Sequence, residues 1–232
     1  MAEAGGPQMT PREAILGKSK SQIAGDQSDT ERRAAVANRL SKAPKGIIPD
    51  RGQLPLKRRQ KLFREKAEAV QATVAEVKTY GAVAEAISTY LRDRNLPQMI
   101  RLGEDPRFEN VDWTKASGLT TETGPSDGSH PVGLSHATFG VAETGSLILT
   151  SGAENPTTLN FLPENHIVIL DAKDIEGDYE ATYQRLRELY GKGRMPRTVN
   201  MITGPSRSAD IEQKLLLGAH GPRSLHIIVV DA

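Results

Sequence analysis

The 232-residue sequence contains no cysteine. That absence excludes a disulfide scaffold, a cysteine nucleophile, a thiolate zinc site and an iron–sulfur cluster ligated by this chain. Aromatic residues make up only 4% of the sequence and do not interleave with the basic ones. A platform for stacking bases is therefore missing, and nucleic acid is not an expected partner. No run approaches the roughly 18 consecutive apolar residues that a membrane helix needs. The opening Met1-Ala2-Glu3-Ala4-Gly5-Gly6-Pro7 lacks the basic start and apolar stretch of a secretory signal. A cytoplasmic protein with no membrane span is the expectation.

Familiar site signatures are missing too. Gly17-Lys18-Ser19 resembles the end of a phosphate loop, but Arg12 stands where the first glycine is required. Gly191-Lys192-Gly193 follows a helix and meets Pro196, so it is no dinucleotide loop. The histidines, at 130, 136, 166, 220 and 226, never form the His-Glu-x-x-His pattern of a zinc peptidase. His166 and His226 open strand-like runs and read as structural residues. Neither a protein metal site nor a resident cofactor is expected.

What is present begins with an uneven charge. Residues 1–59 hold 12 Lys and Arg against 6 Asp and Glu, whereas the remainder holds 18 against 23. A basic arm thus precedes an acidic body. Thr10-Pro11-Arg12-Glu13 has the cap, first-turn proline and third-position glutamate of a helix start. Residues 17–30, polar and without a period, read as a link. Pro44, Pro49 and Pro55 with Gly46 and Gly52 predict an extended strap, because proline removes backbone donors and fixes φ. The expected division is an arm over 1–56 and a domain over 57–232.

In the domain, Phe63, Ala67, Val70, Val74 and Val77 fall at 4-3-4-3 spacing and predict one long helix face. Val83, Ile87, Tyr90 and Leu91 predict a second helix, stopped at Asn95-Leu96-Pro97. Strands are expected at 99–102, 132–134, 138–142, 146–150, 166–170, 198–203 and 225–230, with mostly loop over 103–131. Helices are expected over Tyr179 to Tyr190, closed by Gly191, and over Ala209 to Leu217. Apolar strands alternating with helices predict an α/β fold whose largely parallel sheet is covered on both faces.

Two segments are dense in special residues. In Gly140-Val141-Ala142-Glu143-Thr144-Gly145-Ser146 an acid sits in a tight turn between apolar strands. A carboxylate fixed and desolvated there suits a nucleophile or a general base; equally, Glu143 could simply bond turn amides while Gly145 takes positive φ. In Thr203-Gly204-Pro205-Ser206-Arg207-Ser208 a strand ends and a helix is expected to begin. Helix-start amides, the hydroxyls of Ser206 and Ser208, and Arg207 would suit a small anion. Plain capping by Ser208, with Asp210 and Glu212 complementing the dipole, accounts for the same residues. His220 and Arg223, in Gly218-Ala219-His220-Gly221-Pro222-Arg223, could face the same crevice.

Those segments, with Asn160-Phe161-Leu162-Pro163 and His166, resemble the lactate-utilisation (LUD) domain, and more narrowly the lactate-utilisation protein C family. The resemblance covers about residues 124–232 most strongly. It implies a three-layer α/β sandwich similar to ribose-phosphate isomerase, CoA transferase and formyltetrahydrofolate cyclo-ligase, here with an N-terminal extended and helical arm. It also implies work with iron–sulfur partner proteins in oxidising lactate to pyruvate, as a component that carries no redox centre. The anion candidates on the matched motifs are Thr144, Gly145, Gly204, Ser206, Arg207, Ser208, His220 and Arg223.

A second reading is a free-standing enzyme acting on acyl or phosphorylated substrates, with Glu143 as its catalytic residue. Ala142-Glu143-Thr144-Gly145 is similar to the Ser-Glu-Asn-Gly segment of CoA transferases, although Ala142 and Thr144 depart from it and no CoA-binding glycine loop follows. The arm has too few and too scattered apolar residues for a core, so it is expected to serve assembly, with partners or a second copy of the chain.

Overall fold

The structure, a computed structural model, describes residues 9–24, 28–191, 193–208 and 216–231. The chain divides into two compact units, Met1–Gly46 and Ile47–Ala232. The first contains α1 (Pro11–Ala24) and α2 (Asp29–Lys42). Thr10 and Glu13 cap α1 reciprocally, as their spacing predicts. The link expected over 17–30 is a correction: α1 runs on to Ala24, and α2 opens on a second capping box, Ser28 with Glu31. That Ser-x-x-Glu signature stands in the sequence and satisfies two otherwise orphaned amides. Ile15, Leu16, Ile23, Val36 and Leu40 are exposed on these helices.

The second unit carries α3 (Leu56–Ala69), β1 (Thr73–Val77), α4 (Val83–Asp93), β2 (Met99–Leu102), β3 (Thr120–Thr123), β4 (Val132–His136), β5 (Phe139–Val141) and β6 (Ser146–Thr150). It continues with α5 (Thr157–Phe161), β7 (Asn165–Asp171), β8 (Ile175–Glu176), α6 (Tyr179–Tyr190), β9 (Val199–Ile202), β10 (Arg207–Ser208), β11 (Leu216–Leu217) and β12 (Ser224–Val230). Six strands form a parallel sheet in the order β1-β12-β7-β4-β2-β3, and a second sheet runs β8-β5-β6-β9.

Strand alternation builds two cores from one sheet. Ile167 and Ile169 of β7 and Ile228 and Val230 of β12 face α4, where Val83, Ile87 and Leu91 recur at helical spacing. Their neighbours Val168, Leu170, Leu225, Ile227 and Val229 face the opposite way, against Phe63 and Ala67 of α3 and Leu147 and Leu149 of the second sheet. Helix α4, the parallel sheet, and the second sheet with α3 make the three layers of an α/β sandwich. Helix α6 covers the far face of the second sheet through Leu186, against Phe139, Val141 and Ile148.

One expectation in this unit fails outright. The helix predicted over 63–77 ends at Ala69; Gln71 takes φ of 71°, and Thr73–Val77 pairs in parallel with His226–Val230. Valines at 70, 74 and 77 fit a helix face, but an unpaired edge of β12 offers ladder bonds that β-branched residues fill readily. Of the residues expected to be helical over 209–217, the last two, Leu216 and Leu217, instead pair antiparallel with Ser208 and Arg207. Residues 209–215, with Asp210 and Glu212, lie outside the described residues.

Candidate functional site

The two C-terminal motifs meet. The Ser206 amide donates to Pro222 O at 2.9 Å, the Gly218 amide to Ser206 O at 2.9 Å, and the His220 amide to Ser206 Oγ at 3.3 Å. These bonds stitch the loop after β9 to the loop before β12. Between them lies a pocket of about 270 Å³, lined at its mouth by Thr203, Gly204, Ser206, Arg207 and His220. Of the sequence candidates, the structure therefore brings together Gly204, Ser206, Arg207 and His220. Ser208 and Arg223 are not part of this lining, and the Arg223 side chain lies against Gly218 instead. Because Arg207 and Ser208 form β10, no described helix starts here, and the helix-start amides expected for an anion are not provided by residues 207–208.

The Gly204 turn follows the carboxyl end of β9. Relative to the main sheet, however, the pocket sits at the amino edge, beside His166 and Leu225 at the starts of β7 and β12.

The floor holds residues that the sequence reading treated only as motif or structure. His166 and Asn160 both line the pocket and are 1% and 0% exposed. Both bond one hydroxyl: Ser135 Oγ donates to Asn160 Oδ1 at 2.8 Å and lies 3.1 Å from His166 Nε2. With its only proton spent on Asn160, that hydroxyl accepts from His166, so Nε2 carries the hydrogen and Nδ1 keeps a lone pair. Burial pushes the His166 pKa down to about 3, which keeps the ring neutral. His166 is thus buried and bonded on one side, as a structural histidine should be. Its Nδ1 and the Nδ2 of Asn160 have no hydrogen-bond partner among the described residues. An unmatched buried polar group costs on the order of 1–3 kcal/mol, so two at one pocket floor are notable.

Glu143, Thr144 and Gly145 lie apart from this lining. The Glu143 carboxylate is 5% exposed; its Oε1 accepts the Tyr179 amide at 3.4 Å, at the start of α6, and its Oε2 faces the Arg51 guanidinium of the strap at 3.2 Å. Gly145 has φ of 68° and packs against Ala67 of α3. Thr144 reaches the pocket wall indirectly, through Ser146 Oγ at 2.8 Å and onward to Thr203 Oγ1 at 2.5 Å.

A second polar cluster occupies the carboxyl edge of the main sheet, where open α/β sheets commonly bind ligands. Tyr80 O–H lies 2.7 Å from Asp171 Oδ1 and 2.8 Å from His136 Nε2, while His136 Nδ1 donates to Ala137 O at 2.8 Å. Burial, then the nearby Arg107 charge, pushes His136 down to about 4. Burial pushes the Asp105 carboxyl up, but two hydrogen bonds from the Arg107 side chain prevail and hold it below its ordinary range. Each group here is paired with another, whereas the amino-edge pocket leaves a donor and an acceptor unmatched. The pocket is the stronger candidate. Among the described residues, no group of three or more His, Asp or Glu is placed to hold a metal ion.

Comparison with known proteins agrees with the architecture. The LUD domain model matches residues 60–230, which include every segment that builds the pocket. Lactate utilization protein C of Shouchella clausii is 36% identical over 100 residues, 43% of this chain and 44% of that protein, so the match spans under half of the relative. The uncharacterized protein YkgG of Escherichia coli is 31% identical over 168 residues, 72% of this chain and 71% of its own length. A crystal structure of a DUF162 family protein from Deinococcus radiodurans superposes with a TM-score of 0.57 at 19% identity, covering 76% of this chain and 99% of that one, a likeness of fold. With a domain match running through both sheets and an E. coli relative aligned over most of its length, this chain belongs to the LUD domain family.

Proposed function

We propose that this protein is a component of a lactate utilisation system, working with iron–sulfur partner proteins and binding a small organic anion in the amino-edge pocket. The observation that carries the reading is the LUD domain match over residues 60–230, with relatives bearing the name lactate utilization protein C. The cysteine-free sequence supports the division of labour: the chain offers no thiolate for a cluster, so electron transfer falls to its partners. Arg207 is the main charge for the anion, with Ser206 and His220 beside it. The exposed apolar residues of α1 and α2, on a basic arm, serve assembly; charge complementarity favours docking on an acidic surface.

A strain deleted for the gene should lose growth on lactate and keep growth on pyruvate. Wild type should restore growth on lactate, and Arg207→Ala should restore it poorly. A tagged protein from lactate-grown cells should co-purify iron–sulfur chains, and a variant trimmed of residues 1–43 should capture less of them. Undiminished growth of the deletion strain on lactate, with no second copy of the gene, would remove the proposal.

A further inference from the structure

The floor of the pocket presents both an unmatched acceptor and an unmatched donor. His166 and Asn160 are held in place by the same Ser135 hydroxyl, at 3.1 and 2.8 Å, and each is wholly buried. What they leave unmatched is of opposite kind: a lone pair on His166 Nδ1 and amide hydrogens on Asn160 Nδ2. A carboxylate, phosphate or ketone oxygen only accepts, so it can satisfy Asn160 but not His166. A hydroxyl satisfies both, donating its proton to Nδ1 and accepting from Nδ2 on the same oxygen.

We propose that the pocket binds a small organic anion bearing a free hydroxyl, with the hydroxyl seated between His166 and Asn160 and the anionic group toward Arg207 and Ser206. This deepens the anion reading above and rests on it. The ring's depressed pKa supports the assignment, because a neutral Nδ1 accepts, whereas a protonated one would prefer the anionic group itself. A volume of about 270 Å³ admits hydroxy acids and hydroxylated phosphates of a few carbons.

The test uses matched pairs that differ in the hydroxyl: lactate against propionate and pyruvate, and glycerol 3-phosphate against propyl phosphate. Calorimetry on the full chain at pH 7.5 should show the hydroxylated member of at least one pair binding about tenfold tighter or better, since sites built to bond a hydroxyl reject analogues without it. Whichever pair responds identifies the anionic group. Because truncating a buried floor residue can unfold the domain, the second readout also uses wild type. With ¹⁵N-labelled histidine, the His166 Nδ1 resonance should move toward its hydrogen-bonded position with the hydroxylated ligand and stay put with its partner. Equal binding within both pairs and an unmoved Nδ1 would overturn the hydroxyl subsite while leaving the anion pocket standing. If no probe binds, or Arg207→Ala binds as well as wild type, the anion reading falls and this inference falls with it.

Discussion

Gly204 and Gly145 grip the same end of α3 from two loops. Gly204 has φ of 73°, and a Cβ there would lie 2.4 Å from Val70 O; at Gly145, φ is 68° and a Cβ would lie 2.3 Å from Ala67 N. In both cases the obstacle is backbone, which cannot swing aside as a side chain can. Gly204→Ala should therefore combine a strained left-handed residue with a forced shift at the pocket mouth. A destabilisation of about 2–4 kcal/mol in a urea or thermal melt is expected, outweighing the small stabilisation that alanine brings by restricting the unfolded chain. An unchanged midpoint would show that the loop after β9 can move off α3. The sequence made both glycines conspicuous but not their shared partner. Arg207, Ser206 and His220 were legible because polar residues in glycine-rich turns stand out. Asn160 and His166 were not: a buried polar residue in a motif looks structural until one knows that Ser135, distant in sequence, leaves one nitrogen of each unmatched.

Among the elements, the strap and α6 depend on one carboxylate. Asp178 caps α6: its Oδ1 accepts the Ala181 amide at 2.8 Å, while its Oδ2 accepts from Gln53 of the strap at 2.6 Å. Beside it the backbones of Gly52 and Gly177 touch so closely that a Cβ on either would meet the other's carbonyl oxygen at 2.2 Å. Asp178→Ala should cost about 1–2 kcal/mol through the lost cap, and should also speed tryptic cleavage near Arg51 and Lys57. Asp178→Asn keeps an acceptor for Ala181 and should stay near wild type in the melt. Equal cleavage in all three proteins would separate the strap from the cap. Strands β7 and β12 were readable because each is buried on both faces and shows as an unbroken apolar run. Helix α6 was readable from its period and closing glycine. Strand β1 was not, since its valines fit a helix equally well and only pairing with β12 decides. Two-residue strands such as β10 and β11 are too short to leave a period, so their pairing was invisible.

At the scale of the whole molecule, three buried histidines tie the main sheet to pH. Burial pushes His136 down to about 4, with Arg107 adding to it, His166 to about 3, and His226 to about 4, where Arg94 contributes. Each folded pKa lies below the ordinary 6.5 of an unfolded chain. Between those values the unfolded state holds more protons than the folded one, so stability rises with pH across the interval. The contribution is complete above about pH 6.5 and is lost as pH falls toward 4. One proton difference is worth about 1.4 kcal/mol per pH unit, so three histidines set a limiting slope of about 4 kcal/mol per unit. Against a typical domain stability of about 5–15 kcal/mol, such a slope is a large fraction of the total for each pH unit. The melting temperature should be flat from pH 8 to 7 and fall steeply below 6. His226 stacks on Tyr90 with ring centroids 4.0 Å apart, and its Nδ1 lies 2.8 Å from Thr73 Oγ1. His226→Phe retains a ring for that stack and removes one titrating site, so its profile should be shallower than wild type, whatever its absolute stability. A wild-type melting temperature that holds constant down to pH 4.5 would mean that these rings take up protons inside the fold without cost, and that the sheet is not the acid-sensitive part of the molecule.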